Sequence, residues 1–289
     1  MVKYSISQHV WRSIYPLLIF FCIVFSVSSL SGYIVYAVAE SRHGLWTDAA
    51  AEAADGFIMR YGLWFLVLAN IINCVFFMII WRKTKKDLPK YENTKLTVTV
   101  TALTILLCAG LHYTVISIID LTGFMYLFPS FIETAEEIAA VFANAGLLVR
   151  IIVAVIAAPV VEEILCRGIV LNRLLLWMPK WVAMLVSSVL FGVIHLNIPQ
   201  GLPAFVIGIV FSMLYLRYRN LWVPIIAHAA YNFANFAFYL VIGEEINTWL
   251  LLAPSILVAG VCVLLLIKIT PAAALVQERA QEPIAEAPQ

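Results

Sequence analysis

In APVVEEILCRGIVLNRLLL, residues 158–176, Glu162, Glu163 and Arg167 sit in the middle of an apolar run. Burying one carboxylate in hydrocarbon costs at least about 2.5 kcal/mol on insertion scales, so an ionisable group inside a membrane segment points to function by default. Here three fall within six residues. Glu163 and Arg167 are four apart and share a helix face, which makes them a candidate ion pair. Glu162 points about 100° away from Glu163 around the helix and is left without a local partner. Two neighbouring carboxylates in a low dielectric cannot both ionise cheaply, so Glu162 is the better general-base candidate.

The surrounding composition supports a membrane setting. Of 289 residues, 63% are apolar and 12% charged, and the mean hydropathy is +0.97, outside the range of soluble domains. The formal net charge of +1, with positive charges in short clusters between apolar runs, argues against a nucleic-acid partner. Five cysteines, Cys22, Cys74, Cys108, Cys166 and Cys262, lie inside apolar segments without the spacing of a zinc site or disulfide framework, and read as small buried hydrophobes. The N-terminal apolar stretch, 14–39, is about 25 residues long and exceeds a signal-peptide core, so a retained anchor is expected.

A span needs roughly 20 mostly apolar residues. Eight segments qualify, near 14–39, 61–81, 96–119, 147–176, 181–196, 201–218, 221–242 and 249–268. The expected fold is an all-α polytopic membrane protein of about eight transmembrane helices, with the active site in the bundle interior. The fifth and sixth segments are joined by Asn197-Ile198-Pro199-Gln200-Gly201, which predicts a tight helical hairpin. Four regions follow: 1–146, an N-terminal transmembrane region with three spans and an outer amphipathic segment near 131–144; 147–242, a catalytic core; 243–270, a last transmembrane helix; and 271–289, a tail rich in Ala, Pro, Glu and Gln that is expected to be disordered.

Basic residues mark cytoplasmic loops. Lys3 and Arg12, the cluster from Arg82 to Lys95, then Arg173, Lys180, Arg217, Arg219 and Lys268 alternate with acidic loops holding Glu40, Asp48, Glu52 and Asp55, then Asp120, Glu133, Glu136 and Glu137, then Glu244 and Glu245. Arg42, Arg60 and Arg150 are exceptions. The pattern fits eight spans in a cell membrane with both termini cytoplasmic.

Two further polar features lie in apolar segments: His195, four residues after Phe191, and His228 with Asn232, four apart on one helical face. Each alone could be an interfacial hydrogen bonder or a helix–helix contact. Their depths argue otherwise. Counting from the basic anchors Arg173, Lys180 and Arg219 at about 1.5 Å per residue, Glu162 lies roughly 16 Å in, His195 roughly 22 Å, His228 roughly 14 Å and Asn232 roughly 20 Å. All four fall in one band of a hydrocarbon core about 30 Å thick. His112 and His9 lack such partners. Asn70, Asn73, Ser187 and Ser188 read as packing or hydrogen-bonding positions, and no Gly-x-Ser-x-Gly or Ser-Lys context surrounds the serines.

A carboxylate, two imidazoles and an amide can hydrolyse an amide bond. Glu162 with His195 would deprotonate and orient a water, and His228 with Asn232 would donate hydrogen bonds to the developing oxyanion. Alternatively Glu162, His195 and His228 would hold a divalent metal such as zinc whose bound water attacks. The absence of a His-Glu-x-x-His helix favours water activation without a cofactor.

Glu162-Glu163-Ile164-Leu165-Cys166-Arg167, Phe191-Gly192-Val193-Ile194-His195 and His228-Ala229-Ala230-Tyr231-Asn232 resemble, in order and spacing, the EExxxR, FxxxH and HxxxN motifs of the CPBP family, the CAAX proteases and bacteriocin-processing enzymes also called Abi. The resemblance covers about residues 147–242. It implies an eight-helix-like membrane fold with a cavity opening in the bilayer, and an intramembrane endopeptidase that uses Glu162, His195, His228 and Asn232, supported by Glu163, Arg167 and Phe191. The family it resembles includes members named for prenyl-CAAX processing and for bacteriocin self-immunity, with a mechanism described both as glutamate-type and as metal-dependent. The expected partners are a membrane-associated protein or peptide substrate and the lipid bilayer. The alternative is a non-catalytic transporter or immunity scaffold that binds in the same cavity. Transporters tend to carry broken helices in both halves, whereas this polar cluster sits only in the second.

Overall fold

The computed structural model describes residues 4–88, 96–241 and 249–269, and these are helical throughout apart from short turns. Lys3, Lys90, Lys95, Glu244, Glu245 and the 271–289 tail lie outside the described residues. The helices are α1 (Ile6–His43), α2 (Asp48–Lys85), α3 (Val98–Thr122), α4 (Pro129–Asn144), α5 (147–174), α6 (Lys180–Val193), α7 (Ile198–Tyr218), α8 (Trp222–Val241) and α9 (Trp249–Lys268). Among the described residues, α1, α2, α3, α7 and α9 are each long and apolar enough to cross a membrane. With α5, α6 and α8, they occupy the eight apolar segments seen in the sequence, and α4 has no buried residue.

Side-chain caps start four of these helices. Ser5 accepts from Gln8 N at 3.3 Å while Gln8 Oε1 accepts from Ser5 N at 2.9 Å, a reciprocal capping box. Thr47, Thr97 and Asn197 accept from Ala50, Val100 and Gln200 N–H groups. Because Ser5 and Thr47 lie well outside the apolar cores, α1 and α2 each run 38 residues, longer than the segments expected at 14–39 and 61–81. At about 1.5 Å per residue both exceed the thickness of a bilayer core.

α5 is the central element, with α2, α6, α7 and α8 packed around it and α1 touching its later half. Every residue from Ile164 to Leu171 is buried. The expected plain helix at 147–176 is wound differently: Ile152–Ala157 and Ile164–Leu171 are π-helical, flanking an α-helical turn at Ala158–Glu163. Such π segments mark functional sites often, and they loosen the regular pairing of backbone groups. In a membrane-type interior the loosened carbonyls must find other donors. Ser187 on α6 donates to Cys166 O at 3.1 Å, and Asn172 Nδ2 donates to Arg167 O and Gly168 O, each at 3.0 Å, and to Tyr215 Oη on α7 at 2.6 Å. Ser188 bonds Met184 O and Asn70 bonds Leu66 O, the hydrogen-bonding roles expected for them.

The α6–α7 hairpin forms as expected, although α6 ends at Val193 and His195 lies in the turn. Gly192 and Gly201 make its tight neck: a Cβ on Gly192 would meet Gly201 O at 2.7 Å. At the basic ends, Arg12 pairs with Asp87 at 2.6 Å, and buried Arg173 donates to Thr84 Oγ1, Tyr15 Oη and Arg12 O. The start of α1 and the ends of α2 and α5 thus meet at one end of the bundle. Arg217 Nη2 donates to Ile267 O at 2.8 Å, joining the ends of α7 and α9.

Candidate active site

Glu163 and Arg167 pair at 2.7 Å with both side chains 0% exposed. Around the pair, Arg167 Nη2 donates to Gly208 O on α7 at 2.8 Å, while Arg167 Nε and Glu163 Oε2 have no hydrogen-bond partner. The guanidinium also lies 4.4 Å from the Phe191 ring centroid and 5.4 Å from that of Phe211, within cation–π range. Gly208 permits this approach, since a Cβ there would come within 3.0 Å of Phe191 and 3.2 Å of Arg167 Nη2.

His228 from α8 stands between the two carboxylates. Its Nδ1 donates to Glu163 Oε1 at 3.1 Å, the same oxygen that Arg167 holds. Its Nε2 lies 4.0 Å from Glu162 Oε2. With Nδ1 carrying the proton, Nε2 is the basic nitrogen of the neutral ring. The Glu162 side chain is 13% exposed, that of His228 5%, and Glu162 Oε2 has no hydrogen-bond partner. Phe211 stacks on the imidazole at 5.1 Å between centroids.

His195 approaches through Phe191. Its Nδ1 donates to Phe191 O at 2.9 Å, which again leaves Nε2 basic. The Phe191 ring meets both imidazoles edge to face, at 5.4 Å from His195 and 5.5 Å from His228. Asn232 Nδ2 donates to Ala154 O in the first π segment at 2.7 Å. Among the described residues no three His, Cys, Asp or Glu side chains are grouped to hold a metal ion, and no step is routed through one.

Glu162, Glu163 and Arg167 on α5, Phe191 on α6, His195 in the turn after it and His228 on α8 therefore come together, while Asn232 turns to Ala154 O. Glu163, expected as a supporting residue, holds His228 as well as Arg167. Two participants were missed: Phe211 stacks on the imidazole, and Gly208 offers its carbonyl to Arg167. Only a glycine and an aromatic three apart on α7 hinted at the last two, a pattern that packed helices share. His112 stays apart: it is buried, its ring lies 4.9 Å from that of Tyr231, and neither nitrogen has a hydrogen-bond partner. His9 stacks on Trp177.

An all-helical, apolar bundle with a buried carboxylate–imidazole cluster on a π-interrupted helix is thus the class of protein that this fold and site define. Residues 144–234 match the family described as type II CAAX prenyl endopeptidase Rce1-like, and this segment contains every residue of the cluster. The chain is also 39% identical over 82 residues to a Bacillus subtilis (strain 168) protein named "Putative membrane peptidase YdiL", covering 28% of this chain and 34% of that relative. The chain thus matches about a third of the length of that curated relative. No solved structure matches it.

Proposed function

We propose that this chain is an intramembrane endopeptidase that hydrolyses a peptide bond with water activated by Glu162 and His228. The observation that carries the reading is the disposition of His228, with one nitrogen donating to Glu163 and the other facing unpartnered Glu162 Oε2 across 4.0 Å. Glu163 thus holds the imidazole in one tautomer, with its Nε2 turned to Glu162, so that the two can fix one water while Glu162 serves as the general base. The similarity of residues 144–234 to type II CAAX prenyl endopeptidases supports the same class.

In this mechanism a water bridges Glu162 and His228 Nε2. Glu162 takes its proton as the oxygen bonds to the scissile carbonyl carbon. The C–N bond then breaks, and the proton passes to the leaving amine, with His195 as the second imidazole available for that transfer. The products are a carboxylic acid and an amine, and no covalent enzyme intermediate forms. The sequence paired Glu162 with His195; the 4.0 Å approach favours His228 as its partner. The reaction as written needs no metal.

The same reading takes all eight apolar rods as membrane crossings in a cell membrane, with the basic ends cytoplasmic and the site within the bundle. The substrate class is a membrane-associated protein or peptide, of which a CAAX-type C-terminus is one member. Quantitative proteomics of membranes carrying wild-type or Glu162→Gln protein tests this. Peptides whose processing depends on Glu162 are expected, and identical peptide profiles would contradict the proposal.

A further inference from the structure

A cleft of about 410 Å³ opens between α2 and the break that separates α4 from α5, away from the carboxylate–imidazole cluster. Arg60, Tyr61 and Trp64 line one side, and Asn144, Leu148 and Val149 the other. The apolar segments of α2 and α5 begin near 61 and 147, so the cleft straddles the level at which both helices enter hydrocarbon. It lies at the end of the bundle opposite the one where Arg173 ties α1, α2 and α5 together.

The walls of the cleft are graded. Arg60 and Asn144 make a polar rim, while Trp64 lies one turn further along α2 and Leu148 and Val149 stand on the first turn of α5. Tyr61, Trp64 and Leu148 are all exposed. Tyrosine and tryptophan favour this boundary because each joins an apolar ring to a polar tip.

Arg60 breaks the alternation of basic and acidic ends, since the stretch before it carries Asp48, Glu52 and Asp55. Among the described residues no carboxylate lies within 4.0 Å of its guanidinium. Asp55 accepts from Tyr36 Oη at 2.6 Å, and the Arg60 charge meets the Tyr61 ring at 5.6 Å from its centroid. Arg150, directly after Val149, is a second cation with no such carboxylate, and its guanidinium lies 5.5 Å from the Phe236 centroid. Two cations at the hydrocarbon boundary without a counter-charge attract an anion from outside the chain, and basic pockets between membrane helices take lipid head groups.

An occupant that fits this gradient carries its negative charge at the rim and hydrocarbon along the walls. We propose that the cleft binds an anionic phospholipid of the adjacent leaflet, with its phosphate on Arg60 and its first acyl carbons against Trp64 and Leu148. The proposal rests on the membrane placement of α2 and α5 and is independent of the cleavage chemistry.

The thermal unfolding midpoint of the full chain, purified in an uncharged detergent, tests it with three additions: short-chain phosphatidylglycerol, short-chain phosphatidylcholine and inorganic phosphate. A ligand that binds the folded chain alone raises the midpoint by mass action. Phosphatidylglycerol is expected to raise it by several degrees, and each of the other two by less than about a third of that shift. Arg60 is exposed, so Arg60→Gln should keep the midpoint of the lipid-free protein and lose most of the phosphatidylglycerol shift. Arg42→Gln, at an exposed arginine outside the cleft, should keep the shift in full. Equal shifts with phosphatidylcholine or with inorganic phosphate would overturn the anionic lipid as occupant. A full phosphatidylglycerol shift in Arg60→Gln, or an equal loss in Arg42→Gln, would overturn the cleft as its site.

Discussion

Glu163 holds His228 through the same oxygen that it offers Arg167: Oε1 accepts from His228 Nδ1 at 3.1 Å and from Arg167 Nη1 at 2.7 Å. The ion pair and the orientation of the imidazole are therefore one structural unit. Glu163→Gln keeps the shape and an acceptor oxygen but removes the charge facing both partners. It is expected to lower kcat by about a hundredfold with a smaller effect on KM, since misplacement of the imidazole that holds the water against Glu162 costs on that scale. Steady-state kinetics on the purified protein checks this, and an unchanged kcat would separate Glu163 from the chemistry.

Arg167→Leu leaves Glu163 buried and uncompensated, which is expected to cost about 3–5 kcal/mol of stability. Chemical denaturation in mixed micelles measures it. Adding Glu163→Leu should recover part of the loss, because the stranded charge is then gone while activity stays absent. A single variant as stable as the wild type would mean that the pair does not support the bundle.

Gly192 and Gly201 face each other so closely that a methyl group on Gly192 would press on Gly201 O at 2.7 Å and Phe205 Cβ at 3.2 Å. Gly192→Ala should therefore spread the α6–α7 hairpin, cost about 1–3 kcal/mol and impair activity by moving Phe191 and His195. Gly260→Ala is the control, since nothing lies within 4 Å of a Cβ there. Its unfolding midpoint should stay close to that of the wild type or rise. Equal effects of the two substitutions would mean the neck is not under steric control.

Arg173 ties three helices through three nitrogens, donating to Thr84, Tyr15 and the backbone of Arg12. Lysine has one ammonium group and cannot reproduce that fork. Arg173→Lys is expected to lose nearly as much stability as Arg173→Met, about 1–3 kcal/mol, and to speed proteolysis near the start of α1. Full rescue by lysine would reduce the contact to simple charge.

The legible part of the site was the part that helix geometry alone fixes. Glu163 and Arg167 pair because residues four apart share a face, and Glu162 stands off that face for the same reason. The turn before α7 was likewise legible in residues 197–201, whereas the caps Ser5 and Thr47 start α1 and α2 well before the apolar segments that the sequence marked. The contacts that depend on how two helices rotate against each other were not. Whether His228 meets Glu162 or Glu163 depends on how α8 is rotated against α5, and the three-residue step from Gly208 to Phe211 does not announce that both reach the site. Depth counting brought His195 and His228 to one level, while the ring of Phe191 between them is a matter of packing.

The central claim is that Glu162 activates the attacking water. The most direct measurement is cleavage of a peptide substrate by purified protein in lipid vesicles, comparing wild type with Glu162→Gln under identical conditions and with matched unfolding midpoints. Loss of the general base predicts a fall in kcat of about 10²–10⁴-fold with the fold intact. Cleavage by Glu162→Gln at the wild-type rate would contradict the account.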